Sequence, residues 1–205
     1  MGKVAAIFVD PRGPYPRKLG ADMCWTKDRD ARQYTESYPV VAHPPCQVWT
    51  NMAYVNYKRW GGDHNRPGND AGCFKLALDT TRRCGGVLEH PAFSRAWAAY
   101  GLWFPYPGKW LQMSDPTEWV CEVWQSAYGH KCRKRTWLFY KSRLPEFKPY
   151  DANWERPKGS HQIGYHDQRG KDRNKPTVSK REASESPVQF AEWLICLAHR
   201  AAYGR

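Results

Sequence analysis

Cys46 follows a β-branched run and a rigid Pro44-Pro45 step, and a thiol in that setting is a candidate nucleophile. Residues 38–42 suit a buried strand, and the two prolines stop it sharply. Cys46 then sits at the carboxyl end of the strand, where open α/β sheets place ligands and reacting groups. Two further segments carry matching chemistry. The short run Val87-Leu88 delivers Glu89-His90-Pro91, and a basic turn carries Lys131, Arg133 and Arg135. A thiol attacks as the thiolate and needs neighbouring cations to lower its pKa. Arg133 and Arg135 are expected to supply that field and to hold a phosphate as well. Each segment also has a plainer reading. Pro-Pro-Cys can be a loop turn, Glu89 can cap a helix beginning near Ser94 or pair with an arginine, and 131–135 can be a solvated turn. His43, Cys46 and His90 are of metal-ligand type, but no Cys-x-x-Cys spacing occurs and no metal is expected.

Holding such residues together calls for a sheet with strands and helices in alternation. Residues 3–10 read as a first buried strand ended by a Pro/Gly-rich turn. A short charged helix is expected over 28–34, and no periodicity is visible over 48–69, which reads as a long loop. Asn69 or Asp70 can cap a helix to about Arg83, which Gly85 and Gly86 end. Residues 94–100 read as helical, and 118–124 with 136–140 as a strand pair around the basic turn. Pro187 opens a final amphipathic helix. The expected organisation is an α/β core over 1–143, a polar insertion over 144–176, and a C-terminal helix over 177–205 that returns to the core.

Composition narrows the class of partner. The 205 residues carry 32 basic against 20 acidic side chains, a net charge of +12, which points to a polyanion. Eleven tryptophans and twelve tyrosines beside these cations suit stacking on bases. The seven cysteines are odd in number and irregularly spaced, against a disulfide framework. No run approaches the ~20 apolar residues that span a bilayer, and no signal peptide is evident. A soluble, cytoplasmic protein without membrane contact is expected.

With these segments in order, the chain resembles the cytosine-C5 DNA methyltransferases. Pro45-Cys46-Gln47 is similar to their Pro-Cys-Gln nucleophile motif, and Glu89-His90-Pro91 to their Glu-Asn-Val or Glu-Asn-Pro motif. Lys131-x-Arg133-x-Arg135 before Trp137-Leu138-Phe139 resembles Gln-x-Arg-x-Arg, and Thr177-Val178-Ser179-Lys180-Arg181-Glu182 resembles Leu-Thr-x-Arg-Glu. The resemblance implies a Rossmann-like methyltransferase-type sheet with helices on both faces. It implies Cys46 as nucleophile on cytosine C6, Glu89 as base ligand, and Arg133 and Arg135 as anchors, with Pro45, Gln47, His90 and Lys131 against the substrate. The partner would be DNA, single-stranded or with the base flipped out, in a bacterial or phage-infected cell. S-adenosylmethionine would sit against Phe8, Asp10 and Gly13. Here the sequence departs from the family. Only Gly13 stands where a Phe-x-Gly-x-Gly turn is usual, so the cofactor half is expected to be truncated. Two alternatives stay open: cysteine-dependent pyrimidine modification with another donor, and a non-catalytic DNA-binding relative.

Overall fold

The computed structural model describes residues 2–164 and 174–204. The first strand, β1 (Ala5–Ile7), leads through helix α1 (Pro14–Leu19) to β2 (Cys24–Trp25), and then β3 (Val40–Ala42) follows. Helices α2 (Ala53–Trp60) and α3 (Cys73–Cys84) precede β4 (Gly86–Pro91), and α4 (Arg95–Ala99) follows it. Strands β5 (Leu111–Gln112), β6 (Glu118–Trp124) and β7 (Arg135–Lys141) close the sheet, and α5 (Lys180–Ser184) and α6 (Val188–Tyr203) end the chain. Among the described residues the seven strands form one sheet, in the order β2-β1-β3-β4-β7-β6-β5. The first four run parallel, whereas β7 is antiparallel to both β4 and β6, and β5 is antiparallel to β6. The chain is a mixed α/β protein.

The apolar runs explain this layering. Parallel strands are covered on both faces and read as near-continuous hydrophobic stretches, and β1 and β3 are buried at every position. Alternate residues feed two cores. Ala5, Ile7, Val40, Ala42 and Leu88 meet Phe74, Ala77 and Leu78 of α3. Ala6, Val41 and Val87 meet Phe190, Leu194 and Leu197 of α6 on the other face. Asp70 caps α3, accepting from the amides of Gly72 at 3.0 Å and Phe74 at 2.7 Å. It also accepts from the Trp49 indole at 2.8 Å, which ties the segment after Cys46 to that helix.

Several local expectations need correction. The stretch 48–69 is not a loop throughout, because α2 lies within it. Only Ala53 of that helix is buried, so it carries no apolar stripe to read. The turn after β1 continues into α1, whose two early prolines suit a first helical turn. Over 28–34 the helix shrinks to a single tight turn, Ala31–Gln33. Residues 144–163 contain no helix or sheet strand of their own, only isolated bridges from Gly159 to Cys132 and from Gln162 to Thr177. They are held by the Trp110 indole on the Tyr150 carbonyl (2.9 Å) and by the Asn153 amide on the Tyr128 hydroxyl (2.9 Å). The 165–173 part of the expected polar insertion lies outside the described residues. No helix among the described residues is long and apolar enough to cross a membrane.

One contact fixes the spacing of the two strands that bear Cys46 and Glu89. Gly86 has φ +131°, and a Cβ built there would stand 2.0 Å from the Val40 carbonyl oxygen. The neighbour is backbone and cannot yield. Gly86→Ala is expected to destabilise the protein by more than about 2 kcal/mol, measured by urea unfolding. A loss below half that value would show that β3 and β4 can separate without consequence.

Candidate active site

The strand order switches between β1 and β3, since the chain leaves β1 for β2 on one side and comes back to β3 on the other. Ligands of open α/β sheets bind at the carboxyl ends of strands flanking such a point. A cavity of about 540 Å³ opens there. Phe8, Asp10 and Gly13 enter it from beyond β1, and Pro45, Cys46 and Gln47 from beyond β3. Glu89 reaches it from β4, and Lys134 from the turn before β7.

Glu89 is 8 % exposed and fully engaged. His43 Nδ1 lies 2.9 Å from its Oε2, and the Gln125 amide donates to its Oε1 at 3.1 Å. A carboxylate only accepts, so Nδ1 is the donor. In the neutral ring Nε2 then accepts from the Tyr15 hydroxyl, 2.6 Å away. Gln125 is wholly buried and also donates to the Thr136 hydroxyl at 3.0 Å, so its amide orientation follows from its neighbours. Burial alone pushes the Glu89 pKa up, but the His43 hydrogen bond and charge, with Lys134 behind them, bring it down to about 2. The result is a chain from Tyr15 through His43 and Glu89 to Gln125, built on four separate elements.

Cys46 is partly buried, and its thiol is pushed above the ordinary value. Burial is the largest cause and the Glu89 charge the next, with Lys134 opposing both. The expected activation by Arg133 and Arg135 is therefore corrected. Arg135 forms a double hydrogen bond with Glu122 on β6, at 3.0 Å for each contact, and its guanidinium stands 4.5 Å from the Phe93 ring. Arg133 lies over the Trp124 ring at 5.8 Å. Neither lines the cavity. Lys134, between them, does so instead. Its ammonium also donates to the carbonyls of Ser184 and Glu185 at the end of α5, at 3.1 and 2.9 Å. Burial lowers its pKa, while Glu89 and Cys46 act to raise it.

Two other expected substrate contacts are placed elsewhere. Lys131 pairs with Glu182 at 2.9 Å in a separate depression. His90 is 0 % exposed, between the rings of Phe74 (5.0 Å) and Trp97 (6.3 Å). Adjacent strand residues face opposite sides of the sheet, so Glu89 in the cavity sends His90 into the core. The Pro45 carbonyl comes near its ring, yet neither nitrogen makes a hydrogen bond of good geometry among the described residues. Burial holds its pKa down to about 4, and the ring is neutral. The described residues contain no group of His, Cys, Asp and Glu side chains that could hold a metal.

Tyr15, Lys134 and Gln125 are site residues that the sequence did not single out, and His43, considered only as a metal-ligand type, holds Glu89 instead. His43 stands three residues before Cys46 on the same strand end, which was a usable signal. Lys134 precedes β7 at a φ of +37°, and this turn geometry, not strand alternation, goes with its different direction from Arg133 and Arg135.

No protein-family model matches this chain, and neither a curated protein nor a solved structure matches it.

Two measurements check this geometry. Glu89→Gln removes a charge that raises the Cys46 pKa, and Lys134→Met removes one that lowers it. Iodoacetamide labelling of Cys46 followed by mass spectrometry should shift to lower pH in the first variant and to higher pH in the second. Equal shifts of one sign would refute the assigned electrostatics. His90 is neutral when folded down to about pH 4, but titrates near 6.5 when unfolded. The unfolded chain therefore binds the extra proton in that window, and stability falls as pH drops from 6.5 to 4, by on the order of 3 kcal/mol. Urea unfolding of His90→Phe should show a shallower decline over the same range.

Proposed function

We propose that the protein modifies cytosine in nucleic acid through a covalent adduct at Cys46, with S-adenosylmethionine as donor. The observation that carries this reading is the convergence of Cys46 and Glu89 on one cavity at the switch point of the sheet, together with Phe8, Asp10 and Gly13. The strand order supports a Rossmann-like, methyltransferase-type sheet, with the antiparallel strand β7 set between β4 and β6 and a second, short antiparallel strand, β5, at the edge. The short β2 and the six-residue α1 support a reduced cofactor half.

Cytosine C5 becomes nucleophilic once a thiolate bonds to C6 and its electron pair is pushed toward C5. Cys46 supplies that thiolate. Glu89 faces N3 and the exocyclic amine, and His43 and Gln125 hold it in place. The resting thiol is protonated, partly because Glu89 is charged. The thiol proton passes to N3 of the bound base, where it is shared with Glu89, so that the negative charge spreads and Cys46 is left as the thiolate. Binding and activation are coupled through the carboxylate. Release needs the C5 proton to leave and the C6–S bond to break, which returns the thiolate.

The charges that line the cavity support this donor. Carboxylates of Asp10 and Glu89 suit a cationic centre, and Arg12, Lys27 and Arg181 on the same wall suit a carboxylate. S-adenosylmethionine, when bound, supplies an electrophilic methyl group. Phe8, Asp10 and Gly13 would hold it.

A DNA duplex bearing 5-fluorocytosine tests the reading, because fluorine at C5 blocks the final elimination. A denaturation-resistant protein–DNA complex is expected with S-adenosylmethionine, and none with Cys46→Ser. An adduct of equal yield without the cofactor would point to another donor. Salt-sensitive binding with no adduct would make the protein a non-catalytic DNA-binding module.

A further inference from the structure

Cys46 also lines a second, smaller cavity of about 250 Å³, on the side away from Tyr15 and His43. Thr50 and Asn51 form one wall of it, and Phe93 and Ser94 the other. Phe93 is unusual in two respects. It is 52 % exposed, and its φ of +64° is a conformation that a bulky side chain rarely adopts. The turn that holds it so is well fixed. The Ala92 amide donates to the Arg135 carbonyl at 3.0 Å, and the Ser94 hydroxyl accepts from the Ala96 amide at 3.2 Å.

The ring is backed on two sides. It leans on buried Trp137 with centroids 5.3 Å apart, and the Arg135 guanidinium lies 4.5 Å from it. Phe104, 59 % exposed, leans on the same Trp137 at 5.5 Å. Trp137 is itself fixed, since its indole donates to Glu122 at 2.9 Å and Glu122 also holds Arg135. Two outward aromatic rings thus rest on a rigid base of indole, carboxylate and guanidinium. Helix α2 begins just after Asn51, a residue of this lining, and exposes Tyr54 and Trp60 in a segment that also carries Lys58 and Arg59. The Arg59 guanidinium lies 4.9 Å from the Trp60 ring.

We propose that this mouth is a stacking platform for single-stranded nucleic acid, with Phe93 holding an unpaired base next to Cys46. The proposal rests on the cytosine-modifying reading and names its partner. Charge supports a polyanion, because the chain carries a net +12, the Arg135 guanidinium lies against the Phe93 ring, and Arg59 lies against the exposed Trp60 of α2. The rings select the form of that polyanion. Stacking needs free base faces, which a single strand offers and a duplex covers with its own base pairs. The rare backbone angle at Phe93 goes with a ring that lies on Trp137 yet stays half exposed beside Cys46.

The test is fluorescence anisotropy with a labelled oligothymidylate of about 12 nucleotides, and with a duplex of equal length. Neither the thymidylate nor its duplex with oligoadenylate contains cytosine, so the measurement is blind to Cys46 chemistry. The single strand should bind at least about fivefold tighter than the duplex, with affinity falling as salt rises. Phe93→Leu keeps an apolar contact on Trp137 but loses the π face, and should weaken single-strand binding about tenfold. Phe93→Trp should restore it, and both variants should keep the wild-type melting temperature. Tighter binding to duplex, or a Phe93→Leu protein that binds like wild type, overturns the proposal. Either result leaves the trapping experiment on 5-fluorocytosine standing. A failed trapping experiment with intact single-strand preference sinks the chemistry and not the platform.

Discussion

A carboxylate removed from water has to be answered by donors, and Glu89 imposes that demand at the centre of the molecule. Its answer determines which elements meet. His43 comes from the end of β3, Gln125 from the turn after β6, Lys134 from the turn before β7, and Tyr15 arrives behind His43 from α1. Parallel pairing of β3 with β4, at the close approach that Gly86 permits, brings the first of these within reach. Once the carboxylate is satisfied, the carboxyl ends of β1, β3 and β4 share one wall, and Cys46 is carried there with them.

The same demand sets the electrostatics. The donors that keep Glu89 ionised also leave a fixed negative charge near a half-buried thiol, and that charge works against thiolate. The Lys134 ammonium opposes it, anchored to the end of α5. Helix α5 is therefore part of the site without adding a nucleophile. Its capping box, Ser179 with Glu182, fixes its start, and the Glu182–Lys131 pair ties it to the basic turn. The basic turn thus acts by posture: one residue faces the thiol, and its neighbours hold the turn in place.

Legibility in the sequence followed the range of the interaction. Strands β6 and β7 were readable to within a residue, because each is rich in β-branched and aromatic residues and the two flank a basic turn. The capping carboxylate of Asp70 and the terminating Gly85 were readable for the same reason, since caps are local. Helix α2 was not, because its aromatic side chains face solvent and give no periodicity to follow. Cys46, Glu89, Phe8, Asp10 and Gly13 were named from strand ends and motif order, and the cavity does gather them. The partners of Glu89 were not legible. Which donors answer a buried carboxylate depends on contacts 28 to 46 residues apart in the chain, and nothing local encodes those.

The arginines show why motif spacing misassigned that turn. Spacing treats Arg133 and Arg135 as equals aimed at one target, but Glu122 stands directly across from Arg135's strand and is nearly wholly buried. A second buried carboxylate needs a bidentate donor, and arginine is the side chain whose geometry supplies one. Arg135 is accordingly withdrawn from the thiol and becomes the floor under Phe93. Glu89 and Glu122 lie on strands β4 and β6, on either side of β7, and each recruits a cation from the same basic run. That division leaves Cys46 between two differently built compartments. One is polar, held by the Glu89 network, and the other is aromatic, held by the Glu122 network. Cys46 is thereby reached from both, a carboxylate-lined wall on one side and a half-exposed aromatic ring on the other, because two buried carboxylates divided one basic run between them.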